Sequence, residues 1–174
     1  MEYRRIWQPG GTYFFTVNLF NRKENNLLTR AIDLIRNVIN DVKRRYPFKI
    51  HAWVILPDHM HCVIELPTLD SDFSKRWRLI KMDFSKGLPA TEPRSTIRLI
   101  RGERGIWQRR YWEHVIRDQR DFNAHVDYVH INPLKHGLVN TVKDWPFSTL
   151  HKYVADGIYP EDWAGSDNEL DYDD

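Results

Sequence analysis

The chain has 174 residues, 41% hydrophobic and 29% charged, and one cysteine, Cys62. That composition suits one soluble globular domain with a real core; it excludes an internal disulfide and a zinc site built on several cysteines, and no apolar run reaches the roughly 18 residues of a membrane span. The net charge of +2 hides an asymmetry, because residues 161–174 contain seven acids and no Lys or Arg, leaving 26 basic residues against 17 acids in residues 1–160.

In chain order, "QPGG" reads as a turn, and "TYFFTVNLF", rich in aromatic and β-branched residues, reads as a strand opening a sheet. "RAIDLIRNVINDVKRR" places Ile32, Ile35, Val38, Ile39 and Val42 at helical spacing, with Thr29 as the expected N-cap and Pro47 beyond the end. "FKIHAWVIL" and "HMHCVIELP" flank a short "PD" turn and predict an antiparallel hairpin. A helix is expected over about residues 71–86, followed by a loop with Pro89, Pro93, Gly102 and Gly105, then a strand in "IWQRRYWEHVI". Alternation on that strand predicts Trp112 in the core, opposite Tyr111 and Glu113. A last helix from about residue 118 carries "QRDFNAHVDYVHIN". The β-α-β-β-α-β order points to an α+β, ferredoxin-like antiparallel sheet with helices packed on it and an added C-terminal helix. Residues 1–160 are expected to form one domain, and residues 161–174 an acidic, disordered tail. A sharper expectation has its carboxylates and Tyr172 competing with nucleic acid for the basic groove or for a metal. The polar, aromatic N-terminus predicts a cytoplasmic location.

His59 and His61 lie one residue apart on a strand, so they share a face while Met60 and Cys62 take the other. Two neutral imidazoles on one face can supply two cis sites to a divalent ion; the same spacing equally fits two histidines on a solvent face. In the last helix, His125, Tyr128 and Asn132 fall at i−3, i and i+4, on one side. Pro133 is expected to end or kink the helix near Asn132. Residues 75–110 carry eleven Lys or Arg and three acids, a patch suited to nucleic acid. Within it Lys75, Arg76, Arg78, Lys81, Arg101, Arg104, Arg109 and Arg110 are candidates for phosphate contact, and Tyr111 for stacking on a base.

"LPDHMHCVIELP", then "HVDYVHINPLKHGLV" and "DWPFSTL", resembles the single-tyrosine HUH transposases, the IS200-like superfamily. "GGTYFFTVN" and "GIWQRRYWEHVIRD" are similar to their REP-associated tyrosine transposase branch, and the likeness spans about residues 4–153. The resemblance implies a ferredoxin-like core in which His59 and His61 bind a divalent metal, Mg²⁺ or Mn²⁺, with Asn132 as third ligand. It also implies that Tyr128 attacks single-stranded or hairpin DNA of repetitive extragenic palindrome type, leaving a 5′-phosphotyrosine. The same residues leave room for a hydrolytic metallo-phosphodiesterase or a non-catalytic hairpin-binding module. Monomer and homodimer are both compatible with them.

Overall fold

The computed structural model describes residues 5–165. In chain order it contains β1 (Thr12–Asn18), α1 (Leu27–Arg30), α2 (Ile32–Arg45), β2 (Lys49–Ile55), β3 (His59–Glu65), α3 (Phe73–Lys86), α4 (Thr96–Ile100), β4 (Trp112–Val115), α5 (Gln119–Lys135), a 3₁₀ turn (Val142–Asp144) and α6 (Leu150–Ala155). The sheet order is β2-β3-β1-β4 with every pairing antiparallel, the ferredoxin-like arrangement expected. None of the helices in the described residues is long and apolar enough to cross a membrane.

Period-two alternation divides the sheet into two faces. Tyr13, Phe15 and Val17 of β1, with Met60, Cys62 and Ile64 of β3, bury one face against the apolar stripes of α2 and α3, including Ile35, Val42, Trp77 and Phe84. Phe14, Val63, Ala52 and Val54 turn to the other face, where α5 lies over β2 and β3 with Val126, Tyr128 and Val129. Both faces of β3 are therefore covered, and His59 and His61 are buried rather than on a solvent face.

The sheet's two edges are treated differently. Along β2, the backbone of residues 147–149 adds an outer rung: Ile55 N–H donates to Phe147 O and Thr149 N–H to Trp53 O. Trp145 Nε1 donates to Ile55 O at 3.0 Å, so the "DWPFSTL" stretch serves to cover an edge. At the opposite edge β4 is only four residues long, and among the described residues no strand pairs beyond it.

Several local expectations are corrected. Thr29 is not the cap of α2: a break at Ala31 separates α1 from α2, and the Thr29 hydroxyl donates to Asn26 O. "IWQRRYWEHVI" is strand only from Trp112; Trp107 makes an isolated bridge to Leu19. Trp112 is 51% exposed and Tyr111 packs against the core cluster, the reverse of the predicted facing. The extended run begins at residue 112 in register with Thr16, which sends 112 to the α5 side of the sheet. Pro133 does not end α5, which runs to Lys135. It sits in the last turn and forfeits the bond that an N–H there would make to Val129 O, but His136 N–H still bonds Asn132 O and the helix continues. Trp163 stacks on Tyr159 with centroids 4.2 Å apart, so packed structure continues past residue 160. The rest of the acidic tail, with Tyr172, lies outside the described residues.

Candidate active site

Register places the chemistry. On the α5 face, Asn18 pairs with His59 and Thr16 with His61, while Phe14 pairs with Val63. Directly opposite residues share a face, so Asn18 and Thr16 flank the two histidines. Both imidazoles are held through Nδ1. His59 Nδ1 lies 2.7 Å from Asp58 Oδ1, and Asp58 Oδ2 accepts from Arg22 Nε at 2.7 Å. Burial works to raise the Asp58 pKa, but the hydrogen bonds from His59 and Arg22 outweigh it and hold the carboxyl at about 2. An ionised carboxylate only accepts, so His59 carries its proton on Nδ1 and Nε2 is the nitrogen that could serve a metal. Burial lowers the His59 pKa, opposed by Asp58, and a neutral ring is the form a metal requires. His61 Nδ1 lies 2.8 Å from Thr16 Oγ1, which sets the plane of the second ring.

Helix α5 begins at a cap, the Asp118 side chain accepting from Asp121 N–H, and crosses the sheet so that Tyr128 reaches this pair. The Tyr128 ring stands edge-on to His61 with centroids 5.3 Å apart, packs against Phe14 at 5.7 Å, and lies under the Lys135 ammonium at 5.0 Å. The structure thus brings the tyrosine to the histidines of its own chain. One turn on, Asn132 is fully buried; its Nδ2 donates to Tyr128 O, and its Oδ1 has no hydrogen-bond partner among the described residues. Asn18 Oδ1, beside His59, is in the same condition.

A further donor arrives that the spacing argument passed over. His136 offers a ring nitrogen within 4.8 Å of those of His59 and His61, and its ring meets His59 edge-on at 5.0 Å. Its signal in the sequence was its place one turn past Asn132 and two past Tyr128, had the helix been allowed to continue through Pro133. The three imidazoles, whose ring nitrogens all lie within 4.8 Å of one another, form a donor set that fits a divalent cation.

His125 joins a different group. It stacks on His114 with centroids 4.4 Å apart, its Nδ1 lies 2.8 Å from Asp121 O, and His114 Nε2 lies 2.8 Å from Asp121 Oδ2. Arg117 also donates to that carboxylate through its backbone N–H and Nε. Burial would raise the Asp121 pKa, yet the bonds from Arg117 and His114 bring it to about 2. This cluster pins the start of α5 to β4 and so sets where Tyr128 falls.

The basic candidates separate by burial. Arg76 is 2% exposed and donates to the carbonyls of Tyr46, Pro47 and Asp72 and to Asp70, so it ties α3 to the turn before β2 and is out of reach of a phosphate. Arg104 is spent on Glu92 and the carbonyls of Ser85, Leu88 and Pro89. Lys75 lies over the Tyr46 ring at 4.1 Å. Arg78, Lys81, Arg104, Arg109 and Tyr111 line an open cleft of about 640 Å³ on the α3 side of the sheet, across from Tyr128. Within it Lys81 donates to Gln108 O at 2.8 Å, and burial, with Arg5 nearby, lowers its pKa to about 8. Arg101 and Arg110 are exposed.

Comparison with known proteins places the chain in a family. Residues 12–132 match the family model described as transposase IS200 like. A REP-associated tyrosine transposase of Escherichia coli (strain K12) is 52% identical over 164 residues, covering 94% of this chain and 91% of its own length. A Haemophilus influenzae (strain ATCC 51907 / DSM 11121 / KW20 / Rd) protein, provisionally of the same name, is 43% identical over 170 residues, covering 95% of this chain and 94% of its own. A solved structure of a REP-associated tyrosine transposase bound to a REP hairpin superposes with a TM-score of 0.83 at 50% identity, covering 99% of this chain and 94% of that one. On a family match over most of the chain and relatives up to about half identical along nearly its whole length, the chain belongs to the IS200-like transposases and, among them, to the REP-associated tyrosine transposases.

Proposed function

We propose that this chain cuts and rejoins single-stranded DNA at the foot of a REP-like hairpin, with Tyr128 as nucleophile and His59, His61 and Asn132 as ligands of Mg²⁺ or Mn²⁺. The observation that carries this is the meeting of the Tyr128 and His61 rings at 5.3 Å, with the unpartnered amide oxygen of buried Asn132 one helical turn beyond the tyrosine, in a chain half identical to one solved with a REP hairpin. In the cleavage step the Tyr128 oxygen bonds to phosphorus and the bond to the 3′-oxygen breaks. A 5′-phosphotyrosine and a free 3′-hydroxyl result, the phenolic proton passing in net to the departing oxygen. Attack by a 3′-hydroxyl on the phosphotyrosine reverses the step or joins a new strand.

A bound divalent ion supplies Lewis-acid neutralisation of charge on the phosphate. The residues of the chain do the rest. Asp58 and Thr16 hold the imidazoles in the ligating orientation, and Phe14 and Lys135 confine the Tyr128 ring. Arg78, Lys81 and Arg109 in the cleft, with exposed Arg101 and Arg110, attract phosphates of the hairpin.

The test is to incubate the chain with a REP hairpin extended at its foot by single-stranded DNA, with Mn²⁺, and to map the covalent adduct by mass spectrometry. The expected adduct is on Tyr128, and Tyr128→Phe, which keeps the ring packing, forms none. An adduct on another residue, or turnover by Tyr128→Phe, overturns the proposal.

A further inference from the structure

Helix α4 buries none of its five residues, yet it carries Ile97, Leu99 and Ile100, which are 59, 56 and 80% exposed. A helix this short is not stable on propensity and normally depends on packing, which α4 lacks. Other contacts hold it. Ser95 Oγ accepts from Arg98 N–H at its start, Glu103 N–H donates to Arg98 O past its end, and Gly102 and Gly105 turn the chain at positive φ. Arg104 fastens the same loop to Glu92 and to the carbonyls of Ser85, Leu88 and Pro89. The fold therefore holds an aliphatic tip out in water, and three large apolar side chains within four residues mark a contact surface.

Its neighbours indicate the partner. The Arg98 guanidinium lies 4.0 Å over the Phe20 ring. Phe20 N–H donates to Ile106 O and Gln108 N–H to Asn18 O, and Asn18 pairs with His59. Helix α4 thus stands at the end of the sheet where β1 finishes and β3 begins with His59. The surroundings are cationic, because residues 94–110 hold six arginines and one acid, Glu103. A second copy of the chain would set like charge against like, whereas a polyanion is attracted. Aliphatic side chains gain little from the wall of a duplex, which presents phosphates and groove edges. They gain from the faces of bases, which a hairpin extended at its foot opens at the loop and where the stem gives way to single strand. The foot is the junction that the proposed cut lies beside.

We propose that α4 is a wedge: Ile97, Leu99 and Ile100 pack on the open face of the terminal base pair at the hairpin foot and part the single strand from the stem. The contact reads a junction rather than a base sequence.

The inference rests on the proposed hairpin substrate, and the experiment separates the two. Affinity is measured by fluorescence anisotropy, with chelator present so that nothing is cut. Three DNAs are compared: the extended REP hairpin, a scrambled unpaired strand of equal length, and the hairpin whose foot is continued as duplex by a complementary oligonucleotide. Ile97→Ser/Leu99→Ser/Ile100→Ser should bind the extended hairpin about 10- to 100-fold more weakly at an unchanged melting temperature, and Ile100→Leu within about two-fold of the unaltered chain. The salt slope of the triple variant should equal that of the unaltered chain, since no phosphate contact is removed. On the continued duplex the two should bind alike. 2-Aminopurine as the first unpaired residue should brighten when the unaltered chain binds, as it leaves the terminal pair, and should not brighten with the triple variant. Three results would overturn the inference alone: hairpin affinity of the triple variant within about two-fold of the unaltered chain, an equal loss on the continued duplex, or self-association in sedimentation that the triple variant abolishes. No preference of the unaltered chain for the hairpin over the scrambled strand would overturn the hairpin reading and the inference with it.

Discussion

His130, two residues past Tyr128, should make the stability of this protein fall on mild acidification. It is fully buried, its Nδ1 3.0 Å from the Tyr159 hydroxyl and its Nε2 2.7 Å from Thr149 Oγ1. Tyr159 donates its own proton to Asp127 at 2.6 Å, so its oxygen accepts from His130 Nδ1–H. Thr149 accepts from Trp53 N–H and donates to Nε2. Every position in this chain is filled when the imidazole is neutral, and a second ring proton would face the Thr149 hydroxyl. Burial first, then the neighbouring His151, lowers the His130 pKa to about 3. An unfolded histidine titrates near 6.5, so between those values the unfolded chain binds the extra proton. The contribution to stability is therefore whole above pH 6.5 and is lost progressively as pH drops toward 3. At pH 5 the loss comes to about 2 kcal/mol, a large part of a typical 5 to 15 kcal/mol. The measurement is urea unfolding from pH 8 to pH 5 with chelator present, on the unaltered chain and on His130→Gln. His59 and His125, also lowered by burial, act with the same sign in both proteins and cancel in the difference. The variant should be less stable at pH 8 and lose about 2 kcal/mol less than the unaltered chain between pH 8 and pH 5. Parallel pH dependences for the two would refute the argument.

Three further outcomes follow from particular contacts. Thr16→Val removes the bond to His61 Nδ1 while keeping the side chain's shape; DNA cleavage should drop by roughly 10- to 100-fold with little change in melting temperature, read by adduct yield over time. Arg76→Ala strands Asp70 and three carbonyls in the fold and should cost about 3 kcal/mol in urea unfolding. The dependence of hairpin affinity on salt should be unchanged in that variant, whereas Arg110→Ala should lower the logarithmic salt slope by about 1. His136→Ala should weaken Mn²⁺ binding by about 10-fold in calorimetry if its imidazole joins those of His59 and His61, and an unaltered isotherm would assign the third ligand to Asn132 without it.

The architecture was legible because its signals were local and repeated. Alternation in "TYFFTVN" and the 3.6-residue spacing of Ile35, Val38, Ile39 and Val42 each report one face of one element, and the order of elements then leaves few sheets to choose among. What misled was punctuation. Thr29 has the right chemistry for a cap, but the chain needed a separate turn of helix, α1, to carry it from the Pro57 carbonyl that Leu28 N–H binds. Pro133 reads as a helix stop, yet in the last turn of a buried helix the packing of Asn132 and Val129 outweighs one lost bond.

The site was half legible for a related reason. Period-two spacing showed that His59 and His61 share a face, but which residues meet that face is a property of register between β3, β1 and α5, which no window of one strand contains. Thr16, Asn18 and His136 enter only through that register. Net charge was the weakest guide of all. It cannot tell Arg76, whose guanidinium ties carbonyls together inside the fold, from Arg110, which faces water, although both stand in the same basic stretch. The sheet resolves the two uses. One face, closed by α2 and α3, is apolar apart from the buried Glu113 and holds the fold; the other gives up apolar residues at Asn18, Thr16, His59 and His61, and all of these but Asn18 are buried. That burial has a chemical use, since in water the His59 ring would lose the desolvation that keeps it neutral, and only a neutral imidazole can ligate a metal.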